Sequence, residues 1–423
     1  MKHFDLIIVG GGSAGLASAI EARKHGIEEE KILLVEKSDK LGGILNQCIH
    51  TGFGLYEFKE ELTGPEYAHR FIEQIKETKI NVLTNTTVTK IRPDYVAEIS
   101  SYGNFKEVSF KALIYAAGCS ERSAGAIKLP GDRPQGVMTA GQAQNYLNNL
   151  GYLPGKNIFI LGSGDIGLIM ARRMTLEGAN VIGVAELMPY SNGLKRNIVQ
   201  CLEDFNIPLY LSTTVTNVIG KTKLEAIELS QVDDNLNPIL NSRRIVKCDT
   251  LLLSVGLTPY VSLLKDLKLK KDQFGKFIIN EKCETSFEGV FITGNSLHVH
   301  DLVDNVTKES RTAGFFAAKY ILEGKQNDDF VNVKIDKNIS YSVPNVINRN
   351  AHEFEIKMRV KKPMNNTILL IRSGERILKK VNHFVLIPSE MIIVKVKCDE
   401  PILEDIFVEV ISNEKWNSLH YLS

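Results

Sequence analysis

The sequence predicts an α/β protein with two Rossmann-like dinucleotide-binding domains and a small all-β domain at the C-terminal end. Three observations carry that reading. The stretch FDLIIVGGGSAGLASAIEARKHG at 4–26 returns in looser form as NIFILGSGDIGLIMARRMTLEGA at 157–179. Each copy is followed by a second apolar run closed by an acid, Glu36 in KILLVEK and Glu186 in NVIGVAE. After about residue 330 the hydrophobic period becomes two: in FEIKMRV, apolar Phe354, Ile356, Met358 and Val360 alternate with Glu355, Lys357 and Arg359.

Along the chain, each copy reads as an apolar strand, a glycine-rich turn and a helix whose small residues face the strand. Between the copies we expect a helix over Glu66 to Glu77, strand-like runs in NVLTNTTVTKI and VSFKALIYAAG, and the Gly/Pro-bearing stretch LPGDRPQGV. CDTLLLSVGLTPY at 248–260 resembles ALIYAAGCSER at 112–122. Both look like buried strands ending in glycine, where a chain crosses between domains. The segment 289–322 reads as a strand, a loop and a helix with an Ala/Gly face that returns to the first domain. TILLIRSGERILKKV, FVLIPSEMIIVKVK and DIFVEVI complete the β-rich end, which carries no catalytic constellation and suits structural or partner-binding work.

The chemistry lies in the glycine turns. Gly10, Gly12 and Gly15 form GxGxxG between strand and helix, with Glu36 close to the expected spacing of about 20 residues. Gly10 permits the tight turn, Gly12 removes a Cβ that would block a pyrophosphate, and Gly15 lets the helix pack on the strand. The helix N-terminus offers free N–H groups and a positive dipole end to the phosphates. Glu36 would accept hydrogen bonds from ribose hydroxyls. Gly162, Gly164 and Gly167 with Glu186 repeat the arrangement. A carboxylate there binds a free 2′-hydroxyl and repels a 2′-phosphate, which favours NADH over NADPH. Lys195 and Arg196, nine and ten residues on, oppose that choice if a loop returns them and are otherwise solvated helix charges.

A chain of 423 residues, at roughly 150 per domain, allows about three domains. With 51 basic against 50 acidic residues, no global field would draw it to nucleic acid or an anionic membrane. No run approaches the roughly 18 apolar residues of a membrane helix, and MKHFDLIIVGGG enters a strand without a charged leader and apolar h-region, so a cytosolic protein is expected. The cysteines at 48, 119, 201, 248, 283 and 398 form no C-x-x-C pair and no zinc or iron–sulfur spacing. No metal site is expected, and any cysteine chemistry rests on a single thiol.

The order GGGSAG, Glu36, Gly42-Gly43, ALIYAAGCSER, GSGDIG, LLLSVGLTP and GVFITGN resembles the two-dinucleotide-binding flavoproteins, or pyridine nucleotide–disulfide oxidoreductases, over about residues 1–325. The resemblance implies FAD in the first unit and NAD(P)H in the second, with hydride passing from nicotinamide to flavin. It implies an FAD domain over 1–119 and 248–330, an NAD domain over 120–247 inserted in it, and the β-rich domain over 335–423. It assigns Ser13, Ala14, Lys37, Gly43, Val88, Ala117 and Gly118 to FAD beside the motif glycines and Glu36, and Asp165, Ile166 and Gly256 to NAD. Many relatives carry a Gly-Asp pair at the flavin ribityl chain; here the match is Gly294-Asn295, and Asn keeps an acceptor while losing the charge. The following helix would aim its N-terminus at the flavin pyrimidine. More narrowly, LGGILNQCIHTGFG, LTGPEYAHR, PYSNGLKRNIVQCLEDFNIPL and HVHDLVD look like a bacterial subgroup found beside FAD-linked glycerol-3-phosphate dehydrogenases, similar to the α subunits of sarcosine, opine and cyanide-forming amine oxidases.

Disulfide reductases of this family place two cysteines after the glycine pair, at positions that here hold Leu45 and His50. The redox pair is absent. Cys48 falls between them, on a segment that by analogy runs beside the flavin ring. A helix N-terminus or the His50 imidazole would make it a reactive thiolate; otherwise it is a small wall of the flavin pocket. Gln47, Cys48 and His50 are the candidate catalytic or substrate-contacting groups. His298, His300, Asp301 and Asp304 form a second polar cluster, read either as a proton relay or as loop hydrogen bonding and helix capping. The expected protein passes electrons between NAD(H), FAD and a small-molecule substrate or partner dehydrogenase, with an oligomer open. The alternatives are a disulfide or peroxide reductase using Cys48 alone, and an electron-relay or assembly subunit.

Overall fold

In the computed structural model, which describes residues 1–273, 275–413 and 416, strand Lys2–Val9 lies inside a seven-stranded sheet. It runs parallel to Ile32–Val35 on one side and to the long strand Asn104–Tyr115 on the other. Its residues alternate between two cores: Leu6 and Ile8 join a cluster with Leu16, Phe71 and Phe291, while Ile7 and Val9 join one with Val88, Ile99 and Leu264. Burial on both faces is why LIIV reads as an unbroken apolar run. Asn81–Leu83 and Val290–Ile292 add parallel strands.

NVLTNTTVTKI is two strands, not one. Asn85 adopts φ 48° after Asn81–Leu83, and Thr87–Arg92 pairs instead with Val96–Ser101 in an antiparallel meander. The expected helix is Gly64–Lys76, opened by a capping box between Thr63 and Glu66. The Ala/Gly face is also present: Ala313, Gly314, Ala317 and Ala318 of helix Val303–Glu323 are buried, and a Cβ on Gly314 would lie 2.5 Å from the Ser18 carbonyl oxygen. Only glycine lets these two helices approach so closely.

The second compact unit comprises Asn46–Ile49 and Cys119–Thr258. Its parallel sheet runs Val137–Thr139, Thr250–Leu253, Asn157–Leu161, Asn180–Ala185, Leu209–Tyr210, with a three-stranded antiparallel sheet from Thr213 to Lys247. The boundary expected at residue 248 is therefore displaced. Thr250–Leu253 hydrogen-bonds between two strands of this unit, because all four of its residues are buried and need ladders on both sides, and the chain returns to the first unit at Pro259.

The β-rich end begins at strand Phe330–Ile335 rather than after it. A five-stranded and a three-stranded sheet share one core that includes Ile356, Met358, Leu369, Val394 and Val408. The alternation in FEIKMRV is strand Glu353–Val360, with every second residue buried. Residues 414–415 and 417–423 of the expected domain lie outside the described residues. Among the described residues no helix is long and apolar enough to cross a membrane.

Candidate functional site

The first glycine turn is built around backbone contacts that forbid side chains. Gly10 has φ 107°, and a Cβ there would lie 2.4 Å from the Ala116 carbonyl oxygen. A Cβ on Gly15 would lie 1.8 Å from the Gly10 oxygen. Gly12 differs: it is the N-cap of helix Ser13–Lys24, its φ of −78° is ordinary, and a Cβ would meet only Gly43 Cα at 3.9 Å. No side chain caps this helix, so its N–H groups face open space at Gly12. A dinucleotide pyrophosphate fits that cradle.

The neighbouring residues converge on the same turn. The Gly42 N–H donates to the Gly11 oxygen at 2.8 Å, and Gly43 in left-handed conformation brings its backbone against Gly12. Glu36 is buried and accepts from the Gly11 N–H at 2.7 Å and the Ser38 N–H at 2.8 Å. One lone pair stays open on each oxygen for a ribose hydroxyl. Gly118, at φ 73° with open space around its missing Cβ, donates its N–H to Ser296 Oγ at 2.7 Å. Gly294, at φ 63°, sets its Cα where a Cβ would meet Ala14 Cβ at 2.9 Å. Ser13 is the first helical residue and Ala117 lines the Gly10 contact. Lys37 is exposed, and Val88 is a core residue whose side chain is buried, so only its main chain is left to meet a cofactor. Asn295 Oδ1 accepts from the His300 N–H at 3.0 Å, which gives the oxygen that replaces the usual carboxylate a loop-closing role.

The second turn repeats the first. Gly162 has φ 95° and its Cβ would lie 2.2 Å from the Ser254 oxygen; a Cβ on Gly167 would lie 2.6 Å from Ser254 Cβ. Ser254 Oγ accepts from the Gly167 N–H at 3.1 Å and donates to the Gly164 oxygen at 3.3 Å. The motif does not contain Ser254, but the likeness of LLLSVG to IYAAG places it where Ala116 stands in the first turn. Gly164 is an N-cap without a side-chain cap on helix Asp165–Leu176, and Ile166 packs beside that helix's core. Glu186 accepts at Oε2 from Ser163 N–H (3.0 Å) and Oγ (2.6 Å) and at Oε1 from Met188 N–H (2.9 Å). Asp165 is already engaged by the Leu194 N–H at 2.8 Å and Asn197 Nδ2 at 2.6 Å, so it clamps Leu194 and Asn197. Gly256 has φ 100° and accepts from the Arg122 N–H at 3.0 Å. Lys195 and Arg196 are both exposed at the start of helix Lys195–Cys201.

At the candidate catalytic segment Cys48 is half-buried, with its Sγ 4.0 Å from Gln144 Oε1. Burial pushes its thiol up to about 12, which favours the small-wall reading over the thiolate one. Gln47 is buried and donates to the Gly141 oxygen at 3.0 Å and Gln144 Oε1 at 2.9 Å, so its amide ties the 46–49 segment to helix Ala140–Asn148. His50 lies with the first unit, its ring 5.0 Å from that of Phe53. Leu45, at the first vacated cysteine position, is a core residue. With a thiol near 12 the thiolate fraction at pH 8 is on the order of 10⁻⁴. Cys48→Ser is therefore expected to leave NADH-driven flavin reduction within about twofold of wild type, and Cys48 to resist iodoacetamide at pH 8. Rapid alkylation at this residue in a peptide map would contradict that.

The second polar cluster splits. Asp301 pairs with Arg359 and accepts from the Met391 N–H at 2.7 Å, while Asp304 accepts from the N–H groups of Gly54, Tyr56 and Glu57 at 3.2, 3.2 and 2.8 Å. Both are structural anchors. His298 and His300 instead meet buried Glu309, which the motifs did not mark. Burial pushes the His298 imidazole down to about 4, against the pull of Glu309. Between its ordinary 6.5 and about 4 the unfolded chain takes up a proton that the folded chain refuses. Stability should thus fall as pH drops through that window, by about 3 kcal/mol in all. Thermal unfolding from pH 8 to 4.5 checks this: His298→Gln should lose less than wild type, and equal losses would contradict it.

Against known proteins, the family model for pyridine nucleotide-disulphide oxidoreductases matches residues 4–310. The chain is 25% identical over 285 residues to hydrogen cyanide synthase subunit HcnB of Pseudomonas aeruginosa, covering 62% of this chain and 59% of that one. It is 26% identical over 332 residues to an NADH oxidase of Methanocaldococcus jannaschii, covering 75% and 68%. The chain therefore spans only about three-fifths of the HcnB subunit. Thioredoxin reductase of Lactococcus lactis shares its fold with a TM-score of 0.62 at 18% identity, over 76% of this chain and 99% of that one. Paired glycine turns, each closed by a buried acid, and a match across both units make this chain a member of the pyridine nucleotide-disulphide oxidoreductase family.

Proposed function

We propose that the protein is an FAD-dependent NADH oxidoreductase that passes electrons on to a small-molecule substrate or a partner dehydrogenase. The observation that carries this is the pair of helices with a glycine N-cap and no side-chain cap, each with a buried carboxylate at its turn. When bound, the flavin supplies the step that accepts a hydride from nicotinamide and releases electrons onward. The protein's own groups hold the two pyrophosphates on helix N-termini and the two riboses on Glu36 and Glu186.

Glu186 favours NADH. Oε1 accepts one N–H and keeps a lone pair for a 2′-hydroxyl, whereas a 2′-phosphate would meet a buried negative charge. Lys195 and Arg196 stay in solvent on their helix. Anaerobic titration of the purified protein tests the reading: NADH should bleach the flavin band at one equivalent, and NADPH should act at least tenfold more slowly, about 1.4 kcal/mol of discrimination. Flavin that stays oxidised at high NADH would sink it.

A disulfide or peroxide reductase working through Cys48 is the weaker reading, because the thiol is held protonated by burial and Leu45 and His50 stand at the two cysteine positions. The likeness to a hydrogen cyanide synthase subunit supports a second reading, work as an electron-relay or assembly subunit beside a partner dehydrogenase. Co-purification with a dehydrogenase encoded alongside, lost on deleting the β-rich end, is the matching test.

A further inference from the structure

Glu309 is the most crowded charged group outside the glycine turns. Its side chain is 1% exposed and accepts from five donors: His298 Nε2 at 2.8 Å, His300 Nε2 at 3.2 Å, Lys357 Nζ at 2.6 Å, the Gly294 N–H at 2.9 Å and Thr293 Oγ1 at 3.4 Å. A carboxylate only accepts, so each imidazole carries a proton on Nε2. The Nδ1 atoms of both rings are buried without a hydrogen-bond partner. Lys357 reaches this point from strand Glu353–Val360 of the β-rich domain, and its side chain is 12% exposed.

Two imidazoles and a carboxylate within 4.8 Å of one another have the composition of a metal site. Two features argue otherwise. The Lys357 ammonium already supplies the cation, and a metal on Nε2 would turn each Nδ1 into a buried N–H with nothing to receive it.

We propose that Lys357 is a positioning residue of the flavin site: by neutralising Glu309 it fixes both imidazoles as Nε2 donors and holds the Gly294 turn, so the β-rich domain sets the electrostatics behind Gly294–Asn295. The proposal rests on the flavin reading of that turn. Other charged and titratable groups nearby are committed elsewhere or carry no positive charge. Arg359 pairs with Asp301 and contacts Tyr341, Lys308 pairs with Glu355, Lys276 lies over the Tyr341 ring, and the Cys283 thiol donates to the Glu309 main-chain oxygen at 3.8 Å. Without Lys357, the buried carboxylate can recover a positive neighbour only by protonating an imidazole.

The test uses the purified full chain as wild type, Lys357→Met and Lys357→Arg. Histidine-labelled NMR should show an imidazole of Lys357→Met gaining its proton at least one pH unit higher than in wild type, with Lys357→Arg restoring the wild-type titration. The midpoint potential of the bound flavin should be more negative in Lys357→Met at pH 8, with a smaller gap at pH 6, where the imidazolium replaces the lost charge. Unchanged titration and potential, whatever the melting temperature does, overturn the proposal. Should Lys357→Met not fold, the double variant with Glu309→Gln buries no net charge and should match the wild-type potential at both pH values; a potential still displaced overturns the proposal. One equivalent of zinc or iron in the wild type, lost in His300→Ala, overturns it in favour of a metal centre. Wild type without flavin overturns the flavin reading instead, a separate outcome because the imidazole titration is read in apoprotein too.

Discussion

Gly12→Ala is expected to purify folded, with an unchanged melting temperature, and with flavin affinity lowered at least tenfold, about 1.4 kcal/mol or more. Its Cβ meets only Gly43 Cα at 3.9 Å, and its φ of −78° suits any residue, so the backbone has no reason to move. The added methyl does enter the space in front of the uncapped helix N-terminus, where the pyrophosphate would lie. Gly15→Ala is the contrasting variant. Its Cβ would fall 1.8 Å from the Gly10 oxygen, a clash between main chain and Cβ that no rotamer relieves, so both flavin content and thermal stability should be lost. The ratio of absorbance at 450 and 280 nm with a thermal melt separates the two. A Gly12→Ala protein that keeps stoichiometric flavin would remove the first glycine turn from the cofactor site.

Asp304→Ala is expected to destabilise the protein by about 4 kcal/mol, a loss of roughly 5–10 °C in melting temperature. The carboxylate is 6% exposed and accepts three backbone N–H groups of the 54–57 turn, which would be left without partners on truncation. Asp304→Asn keeps one acceptor oxygen and should lose less than half as much. Loss of the turn should also open it to limited proteolysis. Equal melting temperatures for Asp304→Ala and wild type would show that the turn is held by other contacts.

These two sites differ in how legible they were. The glycines could be read because a tight turn and a close helix–strand contact are local demands, visible as Gly10, Gly12 and Gly15 between a run of apolar residues and a helix. Glu36 and Glu186 followed from their spacing. Asp304 was visible as a polar residue near a helix start, but its partners are about 250 residues away in sequence, so a proton relay and a structural anchor looked alike. The domain crossing was misplaced for a related reason. TLLL is equally apolar whichever sheet it joins, and only the ladder to Val137–Thr139 and Asn157–Leu161 assigns it.

The sequence by itself determined the two βαβ units, the acids that close them, the absence of a paired redox cysteine and the β-rich end, because each depends on period, spacing or residue type. Only the tertiary structure shows what surrounds Cys48 and that His298 and His300 both meet Glu309. A thiol is pushed up to about 12 by what surrounds it, and surroundings are assembled from distant segments. Glu309 and Lys357 are 48 residues apart, one in a helix and one in a strand, and their charges become one interaction only when packing excludes water from both.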